Sequence, residues 1–237
     1  MPSHDLHKIE LDELEILGYS IAGEETVLAM PQLDVCFDIG KAPDQVISIN
    51  NVLLTHGHMD HAAGLSYYLS HKNFCGQQPG TVLAPANLIP YIDQLLNAWA
   101  KLDGNRIPAN LIPIKPGDEH PVKPNLFTRA FPTKHNRGSV GYTVIEKRKK
   151  LKEQYLALTG PQIVELKKQG IEIDTKIEIP IVTYLGDTAY VDYTQLDYVA
   201  NSRILITECT FFEEEHIPRA KAGNHMHVSD LVKMVKE

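Results

Sequence analysis

Between Asn51 and Leu65 the chain reads NVLLTHGHMDHAAGL, and four potential metal ligands, His56, His58, Asp60 and His61, fall within six residues. The apolar run Val52-Leu53-Leu54 before them has the length and β-branched start of a buried strand. Four such side chains cannot all sit on one face of a strand. A tight loop followed by a helix start lets them converge, and Gly57 with Ala62-Ala63-Gly64 leaves the site uncrowded. Imidazole suits first-row transition metals and carboxylate suits harder cations, so a mixed His/Asp cluster points to a transition-metal site.

Three further apolar stretches that read as strands end in residues of the same kind. Residues 126–132 lead to His135, 177–185 to Asp187, and 203–207 to Glu208. Strand ends on one edge of a layered structure can meet in space although far apart in sequence. On this reading His56, His58 and His135 hold one ion, Asp60 and His61 hold a second, and Asp187 bridges them. Two divalent ions about 3.5–4 Å apart are the arrangement for in-line displacement at phosphorus. Asp60 is then placed to orient and deprotonate the attacking water.

The elements that must position these groups follow from period and turn signals. Residues 8–40 read as three strands of an antiparallel meander, 44–50 as a short helix, and 64–71 and 90–101 as helices, the latter carrying the lone Trp99. Segments 81–84, 111–114 and 141–145 read as strands. Residues 146–170 are charged and periodic and predict two short helices broken at Gly160-Pro161. A final helix follows Gly223-Asn224-His225-Met226-His227, with Ser229-Asp230 as its N-terminal cap. No repeat is present, and strands and helices mix without strict alternation. That pattern argues for an α+β layered sandwich in one domain, residues 1–237.

Composition sets the outer limits. A chain of 237 residues, 43 % hydrophobic and 22 % charged, is ordinary for a globular protein and long enough to bury a real core. The start, MPSHDLHKIELDEL, is polar and acidic, which leads to an expectation of the cytoplasm. Cys36, Cys75 and Cys209 are odd in number and far apart, so they read as reduced thiols. A net charge of −7 argues against a broad nucleic-acid-binding surface, and any polyanion must meet a local patch. The run Lys147-Arg148-Lys149-Lys150, with Lys152 beyond it, is the candidate for substrate contact. Taken alone, the same run reads as a solvated helix start.

The motif HxHxDH at a strand end resembles the signature of the metallo-β-lactamase superfamily. The succession THGHMDHAAGL, KHNRGSVGY, YLGDT, TECTF and GNHMHVSDL resembles its tRNase Z (ribonuclease Z) branch over about residues 15–237. That resemblance implies an αββα sandwich, two mixed sheets flanked by helices. It implies two divalent ions, zinc with Mn2+ or Fe2+ as alternatives, precursor tRNA as substrate and a homodimer. Separately, the sequence has no run of about 18 apolar residues, so no membrane contact through a transmembrane helix is expected. The family resemblance further implies that Glu208 pairs with His225, which gives a proton to the leaving oxygen. His225 fits the family's spacing to the helix better than His227. A shortened RNA-binding arm is implied over 146–180. A last histidine ligand is implied beyond the final helix, where this sequence stops at Glu237. The favoured expectation is that the chain lacks its natural C terminus, the alternatives being that the second ion is held by fewer ligands or that a histidine of another protomer completes it. The alternatives within reach of the same residues are a cyclic-nucleotide phosphodiesterase, a carbonyl-directed hydrolase such as a thioesterase or lactonase, and a catalytically silent metal-binding module.

Overall fold

A computed structural model describes residues 6–236; Met1–Asp5, part of the polar start discussed above, and Glu237 lie outside the described residues. Among the described residues, twelve strands form two sheets. The first sheet runs in chain order: β1 (His7–Leu11), β2 (Leu14–Ile21), β3 (Glu25–Met30), β4 (Val35–Phe37), β5 (Asn51–Leu53), β6 (Gly80–Pro85) and β7 (Ala109–Ile114). Its first four strands are antiparallel and its last four parallel. The second sheet contains β8 (Glu119–Lys123), β9 (Leu126–Pro132), β10 (Val140–Leu151), β11 (Asp174–Tyr184) and β12 (Ile204–Ile206), in the spatial order β12-β11-β10-β9-β8. Both sheets are therefore parts of an α+β sandwich. The helices are α1 (Met59–Ala62), α2 (Leu65–Phe74), α3 (Ile89–Asp103), α4 (Gly160–Lys168), α5 (Asp197–Ala200), α6 (Ile217–Gly223) and α7 (Val228–Lys236).

Strict alternation along the central strands sorts side chains into two cores. Val35, Phe37, Leu53 and Leu83 face the second sheet and meet Ala130, Tyr142, Val144 and Tyr184. Their chain neighbours Cys36, Val52, Leu54 and Val82 face outward and are covered by Tyr68 and Leu69 of α2 and by Ile92 and Leu96 of α3. A smaller cluster on the far side of the second sheet joins Phe131 and Leu185 to Val199 of α5 and to Met226. The result is helix, sheet, sheet and helix in layers.

Direction decides where the chemistry can gather. β9 and β11 are each antiparallel to β10, and β12 is parallel to β11. These three strands therefore run the same way and end at the same edge. Two bonds fasten that edge to the first sheet: Val140 N–H donates to Thr55 O (3.1 Å), and the Tyr142 hydroxyl donates to Leu54 O (2.9 Å).

Several expected elements shift. β1 and β8 are short and charged, β8 also carries Pro121, and neither shows the apolar run that marks a strand. The basic run is not helical: Lys147 to Lys150 continue β10, because β11 pairs with them from Lys147↔Glu178 to Leu151↔Asp174 and overrides local helix preference. Only the second expected helix of this region forms, as α4 behind a Thr159/Gln162 capping box. The cap of α7 also differs. The helix begins at Val228, and the Asp230 carboxylate accepts from the His227 N–H (3.1 Å), so Ser229-Asp230 lies in the first turn.

Candidate metal centre

His56 and His58 occupy an extended loop after β5, and α1 begins immediately behind them. That first helical turn swings Asp60 and His61 back over the loop. The Cβ that Gly64 lacks would stand 2.4 Å from Ala42 N, so only glycine lets the α1–α2 junction press against the strand β4 exit.

The strand-end groups converge on one carboxylate oxygen. Asp187 Oδ2 lies 3.4 Å from His61 Nε2, 3.9 Å from His135 Nε2, 4.0 Å from His56 Nε2 and 3.9 Å from His225 Nδ1. His58 Nδ1 faces His135 Nε2 at 3.1 Å. Asp60 Oδ2 is 3.7 Å from His61 Nε2 and accepts the Gly23 N–H (3.0 Å). Glu208 accepts the Thr188 N–H (2.6 Å) and the Thr210 hydroxyl, and faces His225 Nδ1 at 3.0 Å. His227 turns away. It is buried, its Nε2 lies 3.1 Å from Phe212 O, and its Nδ1 is 2.8 Å from the Ser229 hydroxyl. A cleft of about 520 Å³ opens over the cluster, lined among others by Gly23, Asp60, Glu208 and His225.

Electrostatics separate the imidazoles. Burial, reinforced by the neighbouring His61, pushes His56 down to about 2. His61 is also lowered by burial, but Asp38 and Asp187 more than offset this and raise it to about 11. Asp187 is resisted by its own burial and still falls to about 2, because His61 and the other imidazoles favour its charged form. Glu208 raises His225, its hydrogen bond outweighing the effect of burial.

Do these residues fit a metal ion? His56 Nε2 is a buried nitrogen with no partner, aimed into the cluster. Each neighbouring ligand has its other nitrogen occupied: His56 Nδ1 by the Thr55 hydroxyl (2.9 Å), His61 Nδ1 by Asp38 (2.7 Å), His135 Nδ1 by Asn224 O (3.3 Å). That turns the second ring nitrogen of His56, His61 and His135 inward, the arrangement that metal-binding imidazoles require, with His58 Nδ1 meeting His135 Nε2 from the other side. His56, His58, His135 and Asp187 offer four donor atoms within 4.8 Å of one another, and Asp187, Glu208 and His225 form a second such group. The residues fit.

Sequence reading missed Asp38. It is fully buried at φ +52°, and its carboxylate takes the Thr55 N–H (2.8 Å), the Thr55 hydroxyl (2.9 Å), His61 Nδ1 and the Tyr184 hydroxyl (3.0 Å). The available signal was the one used elsewhere: a carboxylate at the end of an apolar strand, VCFD. Thr55 and Asn224 carried no such signal.

The basic run stands apart from this centre. Along β10, Lys147 lies seven residue steps beyond Val140, about 23 Å at strand spacing. Lys147 is taken by Glu119 (2.6 Å) and sits over the Phe127 ring, and Arg148 is held by Glu146 (2.6 Å). Lys149 and Lys150 are exposed.

Comparison with known proteins agrees with the geometry. Residues 28–237 match the family model described as a beta-lactamase superfamily domain. The chain is 33 % identical to tRNase Z TRZ1 of Arabidopsis thaliana over 228 residues, covering 94 % of this chain and 81 % of that protein. It is 31 % identical to the nuclear ribonuclease Z of Triticum aestivum, covering 72 % and 97 %. The short form of human tRNase Z shares the fold, with a TM-score of 0.58 at 16 % identity, over 100 % of this chain and 83 % of that one. A superfamily model over most of the chain and relatives above 30 % identity over most of their own length lead to one conclusion: the chain belongs to the tRNase Z (ribonuclease Z) family of the beta-lactamase superfamily and is a metal-dependent hydrolase.

Proposed function

We infer that the protein is an endoribonuclease acting at tRNA 3′ ends, that it uses two divalent ions, zinc by the preponderance of imidazole, and that it works as a homodimer. The observation that carries the reading is the single oxygen, Asp187 Oδ2, ringed by four imidazole nitrogens within 4.0 Å beside the unpartnered His56 Nε2. His56, His58, His135 and Asp187 would hold one ion, and Asp60, His61 and Asp187 the other. When bound, the ions supply a hydroxide near neutral pH and polarise a phosphoryl oxygen.

The chain's own groups do the rest. Asp60, fixed by the Gly23 N–H, orients the attacking water and takes its proton. The Glu208 hydrogen bond raises the His225 pKa and so favours its protonated form, and His225 gives that proton to the leaving oxygen. Glu208 itself is pinned by Thr188 N–H and Thr210, so its geometry does not depend on substrate. RNA contact falls to the projecting β10–β11 hairpin, where Lys149 stands directly opposite Lys176. Like charges across a ladder are unfavourable. Among the described residues no carboxylate relieves this pair, which suits a polyanion.

The test is incubation of the zinc-loaded chain with a 3′-extended tRNA precursor, with His61→Ala alongside. A single cut at the 3′ boundary that disappears in the variant is expected. Cleavage indifferent to His61→Ala would sink the two-ion assignment, and thioester turnover without diester turnover would sink the phosphodiesterase reading. Sedimentation velocity tests the dimer.

A further inference from the structure

The turn that ends α6 joins two parts of the site that the mechanism treats separately. Asn224 sits in the left-handed region (φ 54°, ψ 49°) as the helix C-cap, and the His225 N–H donates back to Ala220 O (2.9 Å). This closing bond fixes the direction in which the chain presents His225. Glycine enters that conformation at no cost, whereas a side chain there is kept against a small penalty. Here the side chain has a use. Asn224 Nδ2 donates to His135 O (3.0 Å), and His135 Nδ1 faces Asn224 O at 3.3 Å. The two residues clasp each other across 89 positions of sequence. Their effect is to bring the His135 and His225 rings to 4.8 Å between centroids.

The chemistry of the clasp is directional. A backbone carbonyl can only accept, so Nδ1 of His135 must carry the proton, and Nε2 is left with its lone pair toward His58 and Asp187. A histidine lacking this partner samples both tautomers and more than one ring orientation. We propose that Asn224 is a positioning residue: by clasping His135 it fixes the tautomer that offers Nε2 to an ion, and by the same left-handed turn it sets His225 beside that ion. The inference rests on the metal reading of this site. It adds that ion capture and proton donation are set by one residue outside both groups.

The test uses the full chain with 15N-labelled histidine and two variants. Asn224→Gly keeps the left-handed turn without strain and removes only the side chain. Asn224→Asp keeps a left-handed-tolerant residue and replaces the donor with an acceptor facing His135 O. Wild-type apoprotein should show His135 as a single Nδ1–H tautomer in nitrogen chemical shifts. Both variants keep the carbonyl of residue 224 but lose the side-chain bond to His135 O that holds it against the ring, so both should show a weakened Nδ1–H bond and exchanging forms. Zinc affinity, measured by competition with a chromogenic chelator, should fall about 10- to 100-fold in both, the usual effect of losing a partner behind a ligand. In Co2+-substituted protein the visible ligand-field bands should change with it, while thermal melting shows the variants folded. His135 found as the Nε2–H tautomer in wild type, or variant affinities within twofold of wild type, would overturn the proposal. Wild-type protein that binds no zinc would instead defeat the metal reading on which it rests.

Discussion

At the residue scale the centre is governed by groups that never touch substrate. Asp38 sits under both halves of the cluster, directly on His61 Nδ1 and, through the Thr55 hydroxyl, behind His56 Nδ1. Thr55 is in turn confined by Gly186, which is at φ +64°; a Cβ there would stand 2.8–3.0 Å from the Thr55 side chain. Gly186→Ala should therefore do two things. It should cost about 1–2 kcal/mol of stability for a left-handed alanine. It should also weaken zinc binding about tenfold by pushing Thr55 off His56 and Asp38. Parallel chelator competition and thermal melts separate the two effects, and unchanged zinc affinity with lowered melting would deny Thr55 its role. His56, His58, Asp60 and His61 were legible because their spacing is compact. Asp38 carried only the strand-end signal of VCFD, and Thr55 and Asn224 carried none, because a supporting partner is defined by what it faces.

At the scale of elements the projecting hairpin is the feature most unlike its sequence. Beyond Glu146, which still pairs with Leu126, β10 loses β9 as a ladder partner and is held by β11 alone. The base of the projection is an ion cluster of Glu119, Arg129, Lys147 and Glu178. Burial opposes ionisation of Glu119, but Lys147 and Arg129 outweigh it and hold its pKa below the ordinary value of 4.5. A depressed carboxylate stabilises the fold above the unfolded-state pKa and loses that contribution as pH falls through the folded one. Glu119→Gln should thus lower stability by about 0.5–1 kcal/mol at pH 7, since the cluster is partly exposed. The difference should shrink as pH falls below 4.5 and through the lower folded-state pKa, as denaturant melts at pH 7 and in acid would register; a gap that persists in acid would point to packing instead. Further out, the double substitution Lys149→Glu and Lys150→Glu should raise KM for precursor tRNA about tenfold and flatten its salt dependence, while turnover of a small chromogenic diester stays put. Equal losses on both substrates would place the hairpin's effect on the catalytic centre and remove the arm reading.

For the whole molecule, the site is a clamp between two sheets. His56, His58, Asp60 and His61 hang from the first sheet, and His135, Asp187, Glu208 from the second, so an ion bound among them ties the layers together. Zinc at about 100 times its Kd should add ~2.7 kcal/mol, or ~5–10 °C in Tm for a chain of this size. A chelator should reverse the rise and His56→Ala abolish it; a melting point indifferent to zinc would mean that no ion bridges the layers. The amino-acid sequence by itself determined the α+β class, most strands, the ligand types and the family, because apolar period and the spacing of imidazoles are local quantities. Tertiary structure alone decided that KRKK is strand rather than helix, that His227 is spent on a turn, and that Asp38 and Asn224 stand behind the ligands. Each of those outcomes depends on a partner dozens of residues away, and the free energy of such a contact exists only once the chain has folded to make it.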